Sequence, residues 1–115
     1  MEQELIINKS RFISYRFDLH NLDDVKAFLS DLKKEHKKAT HICYAYVYSG
    51  DVVSEKCSDD GEPGGTAGYP ILNVIKKKAK KNTLVAVVRY FGGVKLGAGG
   101  LTRAYTKAAS IVLND

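Results

Sequence analysis

Two glycine-rich segments hold most of the residues whose types and spacing could do chemistry. Nine of the ten glycines fall between residues 61 and 100, at Gly61, Gly64, Gly65, Gly68, Gly92, Gly93, Gly97, Gly99 and Gly100. Glycine inside a helix or strand costs up to about 1 kcal/mol relative to alanine, so dense groups of it mark backbone that turns sharply or comes close to something. The first segment, Ser58-Asp59-Asp60-Gly61-Glu62-Pro63-Gly64-Gly65-Thr66-Ala67-Gly68, puts three acids among free backbone N–H groups ahead of an expected helix. Such a turn suits an anion, because unpaired amides and the helix dipole point the same way. Asp59, Asp60 and Glu62 would repel a phosphate unless a hard cation intervened, or else they satisfy those amides themselves. The second segment runs from Arg89-Tyr90-Phe91-Gly92-Gly93 through Lys95 and Gly97 to Arg103-Ala104-Tyr105, and its charges are all positive. Arg89, Lys95 and Arg103 could meet phosphates while Tyr90, Phe91 or Tyr105 offer a stacking surface, the mixture that single-stranded nucleic-acid sites use. The competing expectation is that Arg89 and Arg103 pair with Asp59, Asp60 or Glu62 across the two segments.

The candidate binding set is therefore Asp59, Asp60, Gly61, Glu62, Gly64, Gly65, Thr66, Arg89, Tyr90, Gly92, Gly93, Lys95, Gly97 and Arg103. No Walker A sequence, GxSxG elbow or HExxH pair is present, and no local spacing of Ser, His and Asp nominates a nucleophile. No catalytic residue, metal ligand or cofactor is expected, although only geometry could show an acid such as Asp60 or Glu62 working as a base. Cys43 and Cys57 lie far from any CxxC or Cys/His spacing and read as free thiols of a reducing compartment.

These loops need elements to hold them. Residues 11 to 18 mix β-branched and aromatic side chains in partial alternation and read as a strand, with an extension back through Leu5 to Ile7. Asn21 can cap the following helix, with Asp24 in its first turn and Val25, Phe28, Leu29 and Leu32 at helical spacing up to about Lys37. Thr40 to Tyr48 and Val52 to Cys57 flank the turn Ser49-Gly50-Asp51 as an antiparallel hairpin. His41, at a strand start, is expected on an exposed face, and His20 and His36 carry less information still. A second helix runs from Ala67 or Tyr69 to about Ala79, with Thr66 as N-cap, Pro70 in its first turn and Ile71, Leu72 and Ile75 inward. Thr83 to Tyr90 is nearly continuous apolar sequence, as an interior strand requires. A third helix from Ala98 places Leu101, Ala104, Tyr105, Ala108 and Val112 on one side. The order is strand, helix, hairpin, helix, strand, helix.

The 115 residues have the length of one ordinary domain, and 44% hydrophobic with 27% charged residues is a globular composition. No apolar run approaches the roughly 20 residues that span a bilayer, and the start of the chain lacks a secretory pattern, so a cytoplasmic protein without membrane contact is expected. The net charge of +5 lowers the cost of approaching a polyanion. Much of the excess sits in two clusters, Lys33, Lys34, Lys37 and Lys38, and Lys76, Lys77, Lys78, Lys80 and Lys81, each at a helix end where the dipole favours cations whatever the function.

At the two loops the chain resembles the IMPACT family, whose bacterial branch is the YigZ type. The matching stretches are Ser58 to Pro63, Gly65 to Gly68 with Pro70-Ile71-Leu72, Val88 to Gly93, Lys95-Leu96-Gly97 and Gly99-Gly100-Leu101 with Arg103-Ala104-Tyr105. Lys9 to Ile13 and His41 to Tyr46 match as well, whereas Gly64 stands where a serine is frequent. The resemblance implies a single α/β domain over 1–115, of the two-layer α+β kind. A four-stranded mixed sheet would carry helices on one face, akin to the second domain of a small-subunit ribosomal protein and to domain four of elongation factor G. It also implies a link to translation, since the eukaryotic relative is a regulator in the amino-acid starvation response. The expected function is a non-catalytic module that binds RNA or the ribosome, with Arg89, Lys95 and Arg103 at phosphates. Two alternatives stay open: an enzyme or small-ligand binder holding a phosphorylated metabolite with a cation at Asp59, Asp60 or Glu62, and a surface for a protein partner.

Overall fold

A computed structural model of the chain describes residues 1–114. Its elements are β1 (Glu2–Ile7), β2 (Ser10–Asp18), α1 (Asp23–Glu35), β3 (His41–Ser49), β4 (Val53–Ser58), α2 (Gly68–Lys77), β5 (Thr83–Tyr90) and α3 (Gly97–Val112). The strands form one sheet in the order β1-β2-β5-β3-β4, and every neighbouring pair is antiparallel. β2 and β3 run the same way, linked by α1, but β5 inserts between them and opposes both, so no parallel pair forms.

The four-stranded mixed sheet is thus corrected to five antiparallel strands. The added strand is β1, which the sequence presents only as an extension of β2. Ile7 instead pairs with Ser10, and the intervening Asn8 and Lys9 both have positive φ, 46° and 70°, the conformation of a two-residue type I′ turn.

Helices lie on both faces, a second correction. Phe12 on β2, Val85 and Val87 on β5 and Cys43 and Ala45 on β3 face α2 and α3, where Ile71, Ile75, Ala104, Tyr105, Ala108 and Val112 complete the larger core. The alternate residues Ile13, Tyr15, Ile42, Ala86 and Val88 face α1 through Leu29 and Leu32, and Leu84 meets Val25 on the same side. β5, the middle strand, is therefore covered twice, and from Thr83 to Arg89 every residue of it is buried. Its apolar sequence follows from that placement.

The helix starts are fixed locally. Before α1, Asn21 Oδ1 accepts the Asp24 N–H at 3.2 Å, while Asp24 Oδ2 accepts the N–H groups of His20 and Asn21 at 2.8 and 3.1 Å, a reciprocal cap in which Asn21 plays its expected part. α2 is capped from a distance. Thr66, expected as N-cap, instead donates its hydroxyl to the Pro63 carbonyl at 2.6 Å, and Asp59 takes the helix amides.

Candidate functional site: a cleft between the two glycine-rich loops

The period of a strand places the first member of the site. Arg89 shares the parity of Val85 and Val87, so its side chain points at α2 and α3, and cross-strand register sets it between Phe12 on β2 and His41 on β3. A guanidinium there needs an anion. Glu62 supplies it: Arg89 Nη1 donates to the two carboxylate oxygens at 3.0 and 2.8 Å, with both side chains almost wholly buried. Arg89 Nη2 reaches Ser10 Oγ at 3.3 Å, and the guanidinium lies between the rings of Phe12 and Phe91, 5.5 and 5.4 Å from their centroids. Among the described residues, Arg89 Nε is the buried side-chain polar atom left without a hydrogen-bond partner.

Glu62 gathers further donors. The Tyr105 hydroxyl donates to Oε2 at 2.5 Å, and His41 Nε2 stands 3.4 Å from Oε1. His41 Nδ1 lies 2.7 Å from the Asp60 carbonyl, which only accepts, so this nitrogen carries a proton. His41 was expected on an exposed face; its parity with Cys43 turns it into the site, where its side chain is 19% exposed. Burial pushes the Tyr105 phenol far above its usual range and the Cys43 thiol to about 12, so neither ionises near neutrality. Cys43 Sγ donates to the Asp59 carbonyl at 3.1 Å, and both cysteines are free thiols.

The other two acids serve the loop itself. Asp59 accepts the N–H groups of Gly65 at 2.9 Å, Ala67 at 3.1 Å and Gly68 at 2.8 Å. Desolvation pulls its pKa upward, but these backbone bonds together outweigh it and hold the carboxyl below its usual value. Asp60 Oδ2 accepts the Ile42 N–H at 2.7 Å, pinning the loop to the start of β3. Each carboxylate is directed to a different partner, and the described residues hold no group of three or more His, Cys, Asp or Glu side chains that could hold a metal ion.

The glycines divide by what surrounds them. A methyl group at Gly92 would stand 2.0 Å from the Lys9 carbonyl oxygen, and one at Gly68 would stand 2.7 Å from the Ser58 nitrogen, so these two let one backbone segment pass against another. Gly61 lies beside the His41 ring, while Gly64, Gly65, Gly93 and Gly97 have open space where a side chain would begin.

What remains open is a cleft of about 400 Å³. It is lined by Glu62 and Pro63 of the first loop, His41 and Arg89 of the sheet, and Lys95 and Gly97 of the second loop. The start of α3 faces it. That helix has no acid in its first turn and no side-chain cap, in contrast to α2 with its Asp59. Lys95 lies two residues before it, and Arg103 folds back over its first turn, so that a methyl group at Gly99 would stand 3.4 Å from an Arg103 guanidinium nitrogen. Among the described residues Arg103 has no ion-pair partner, so the expected bridging of both arginines to the acidic loop holds for Arg89 alone. Of the three aromatic residues considered for stacking, Tyr105 is buried, Tyr90 has Arg11 over its ring at 5.2 Å, and Phe91 is 47% exposed.

Comparison with known proteins matches the Impact N-terminal domain family to residues 8–113. The IMPACT family member YvyE of Bacillus subtilis is 50% identical over 113 residues, covering 98% of this chain and 52% of that protein. The IMPACT family member YigZ of Escherichia coli is 42% identical over 101 residues, covering 86% of this chain and 50% of the other. The chain thus spans about half the length of the curated relatives it matches. A crystal structure of a hypothetical protein superposes with a TM-score of 0.93 at 38% identity, covering 99% of this chain and 56% of that one. The structure of the two-domain translational regulator Yih1 has a TM-score of 0.64 at 23% identity, covering 95% and 45%, a likeness of fold.

Proposed function

The chain belongs to the IMPACT family, and from that premise we propose that it is a translation-associated regulatory module that binds RNA, free or within the ribosome, in the cleft between its two glycine-rich loops. The observation that carries this reading is the start of α3. A helix N-terminus is stabilised by negative charge, yet here the neighbouring charges are Lys95 and Arg103, and no acid lies in the first turn. The fold accepts that unfavourable arrangement on a surface that opens to solvent. A phosphate would relieve it, taking the first-turn amides and the two cations together. Phe91, exposed at the cleft mouth and held from beneath by the Arg89 guanidinium, offers a ring for a base to stack on.

This reading gives Arg89 a different task from the phosphate contact expected of it. Its charge is already met by Glu62, so it supports Phe91 within the cleft, while Lys95 lines the cleft and Arg103 stands beside the first turn of α3, at Gly99, as a second cation for a ligand that extends past the cleft. A link to translation fits the description of Yih1 as a translational regulator.

The test is binding of the purified protein to ribosomal subunits and to short single-stranded RNA across a salt series, comparing wild type with a Lys95→Glu, Arg103→Glu variant whose circular dichroism is unchanged. Binding that weakens with salt and is lost in the variant supports the reading. Undetectable binding at low salt, or equal binding by the variant, sinks it.

A further inference from the structure

A second cleft, also about 400 Å³, lies on the α1 face of the sheet. It is lined by Arg11, Lys34, Glu35, Lys37, Lys38 and Tyr90. Lys34, Lys37 and Lys38 are exposed and have no ion-pair partner among the described residues. Arg11 is partly neutralised by Glu4 at 2.9 Å, and Glu35 puts one carboxylate in the lining, so the three lysines leave the cleft with a net positive charge. By sequence alone they read as a solvated helix end. The structure adds convergence, because residues from α1, from the segment after it, and from β2 and β5 enclose one concavity.

This cleft stands back to back with the first. Arg89 and Phe91 line the first cleft, while Tyr90, between them in the chain, points through the other face of the sheet into the second. Thr40, two residues after Lys38, borders the first cleft and binds the strand end that separates them: its N–H donates to the Arg89 carbonyl at 2.8 Å, and its hydroxyl oxygen accepts the Phe91 N–H at 3.0 Å. Tyr90 is not free to stack, since Arg11 covers its ring and its hydroxyl meets His36 Nδ1 at 2.7 Å. The second cleft therefore offers cations without an open aromatic face, the chemistry of a backbone-tracking groove rather than a base pocket.

We propose that the cleft of Lys34, Lys37 and Lys38 is a second phosphate subsite, so that one RNA strand crosses the end of the sheet from the start of α3, past Phe91, to the end of α1. The inference rests on the RNA reading of the first cleft and deepens it by giving the ligand a length and a direction. A strand bound only at the first cleft needs few nucleotides. One that crosses the sheet end must be longer, within the roughly 4 to 16 nucleotides that comparable single-strand sites cover.

The experiment measures binding of a dinucleotide and of an RNA of about ten nucleotides over a salt series, with wild type, a Lys34→Gln, Lys37→Gln, Lys38→Gln variant and a Lys95→Gln, Arg103→Gln variant. Each neutralised phosphate on a single strand contributes roughly 0.7 to the slope of log affinity against log salt, so the lysine variant loses about 2 from that slope with the longer RNA. It leaves the dinucleotide unaffected, whereas the Lys95 and Arg103 variant weakens both ligands. If the lysine variant binds the longer RNA with the wild-type slope, the second subsite is overturned while the first cleft stands. If wild type binds neither RNA, the reading of the first cleft falls and this inference with it. Competition by a polyglutamate peptide as effective as that of RNA overturns the nucleic-acid assignment in favour of an acidic protein partner.

Discussion

Replacing Glu62 by Gln removes the charge of a buried carboxylate and leaves its shape almost intact. The carboxylate accepts from Arg89 at 3.0 and 2.8 Å and from Tyr105, with 3% of its side chain exposed against 6% for Arg89. In the variant the guanidinium stays buried with no other carboxylate in contact among the described residues, and an amide NH2 must face a donor. Breaking a buried pair by removing one partner costs about 3–5 kcal/mol, far more than an exposed pair is worth. A domain of this size loses roughly 4 °C in Tm per kcal/mol, so a drop of roughly 12–20 °C is expected, with the urea midpoint falling at constant m-value. Urea and thermal unfolding followed by circular dichroism at neutral pH read this directly. The double variant Glu62→Leu, Arg89→Met separates two roles, because an apolar pair of similar volume recovers most of the loss while depriving Phe91 of its supporting cation. A loss below about 1 kcal/mol in Glu62→Gln would mean that water reaches the guanidinium, and the account of Arg89 as a buried, paired cation would be wrong.

Asp59→Ala removes the cap of α2 and is expected to cost about 1–2 kcal/mol, with the loss confined to neutral and mildly acid solution. Because the folded carboxyl is held below its usual value, its contribution is complete above the unfolded pKa near 3.9 and is lost as pH falls through the folded one. Wild-type and variant urea midpoints therefore converge in acid; a gap that stays constant down to strong acid would refute the cap. Gly92→Ala must displace the Lys9 backbone and is expected to cost about 3 kcal/mol, whereas Gly64→Ala meets open space at an ordinary φ and stays within about 0.5 kcal/mol of wild type. Equal urea midpoints for the two alanine variants would show that the close approach at Gly92 relaxes freely.

Most elements were legible because each carried its period or its punctuation. Asn21 with Asp24, the turn at Ser49-Gly50-Asp51 and the apolar run of β5 all fall where local chemistry puts them. β1 was not, since Glu2, Gln3 and Glu4 occupy an edge strand that has little to bury, and its only signal is the Asn8-Lys9 turn. The doubly covered sheet was hidden for a related reason: α1 covers a face carrying Tyr15, Tyr44 and Tyr46, whose amphipathic rings read equally well as solvent-facing.

The site was legible as two loops but not as a division of labour between their charges. Strand parity alone puts Arg89 on the same face as Val85 and Val87, and once that face is covered a paired acid is required. Counting every arginine and lysine of the second loop as a phosphate contact ignores this demand. Burial divides the cations into a buried one that Glu62 consumes and exposed ones that no carboxylate among the described residues consumes, and the same division separates Asp59, which caps α2, from the start of α3, which has no side-chain cap. Two helices thus begin at neighbouring glycine-rich loops, one with its anion built in and the other flanked by cations. If packing alone governed the second loop, an acid ahead of α3 would stabilise it as Asp59 stabilises α2. Lys95 and Arg103 stand there instead, and that contrast is what supports the proposed binding surface at α3.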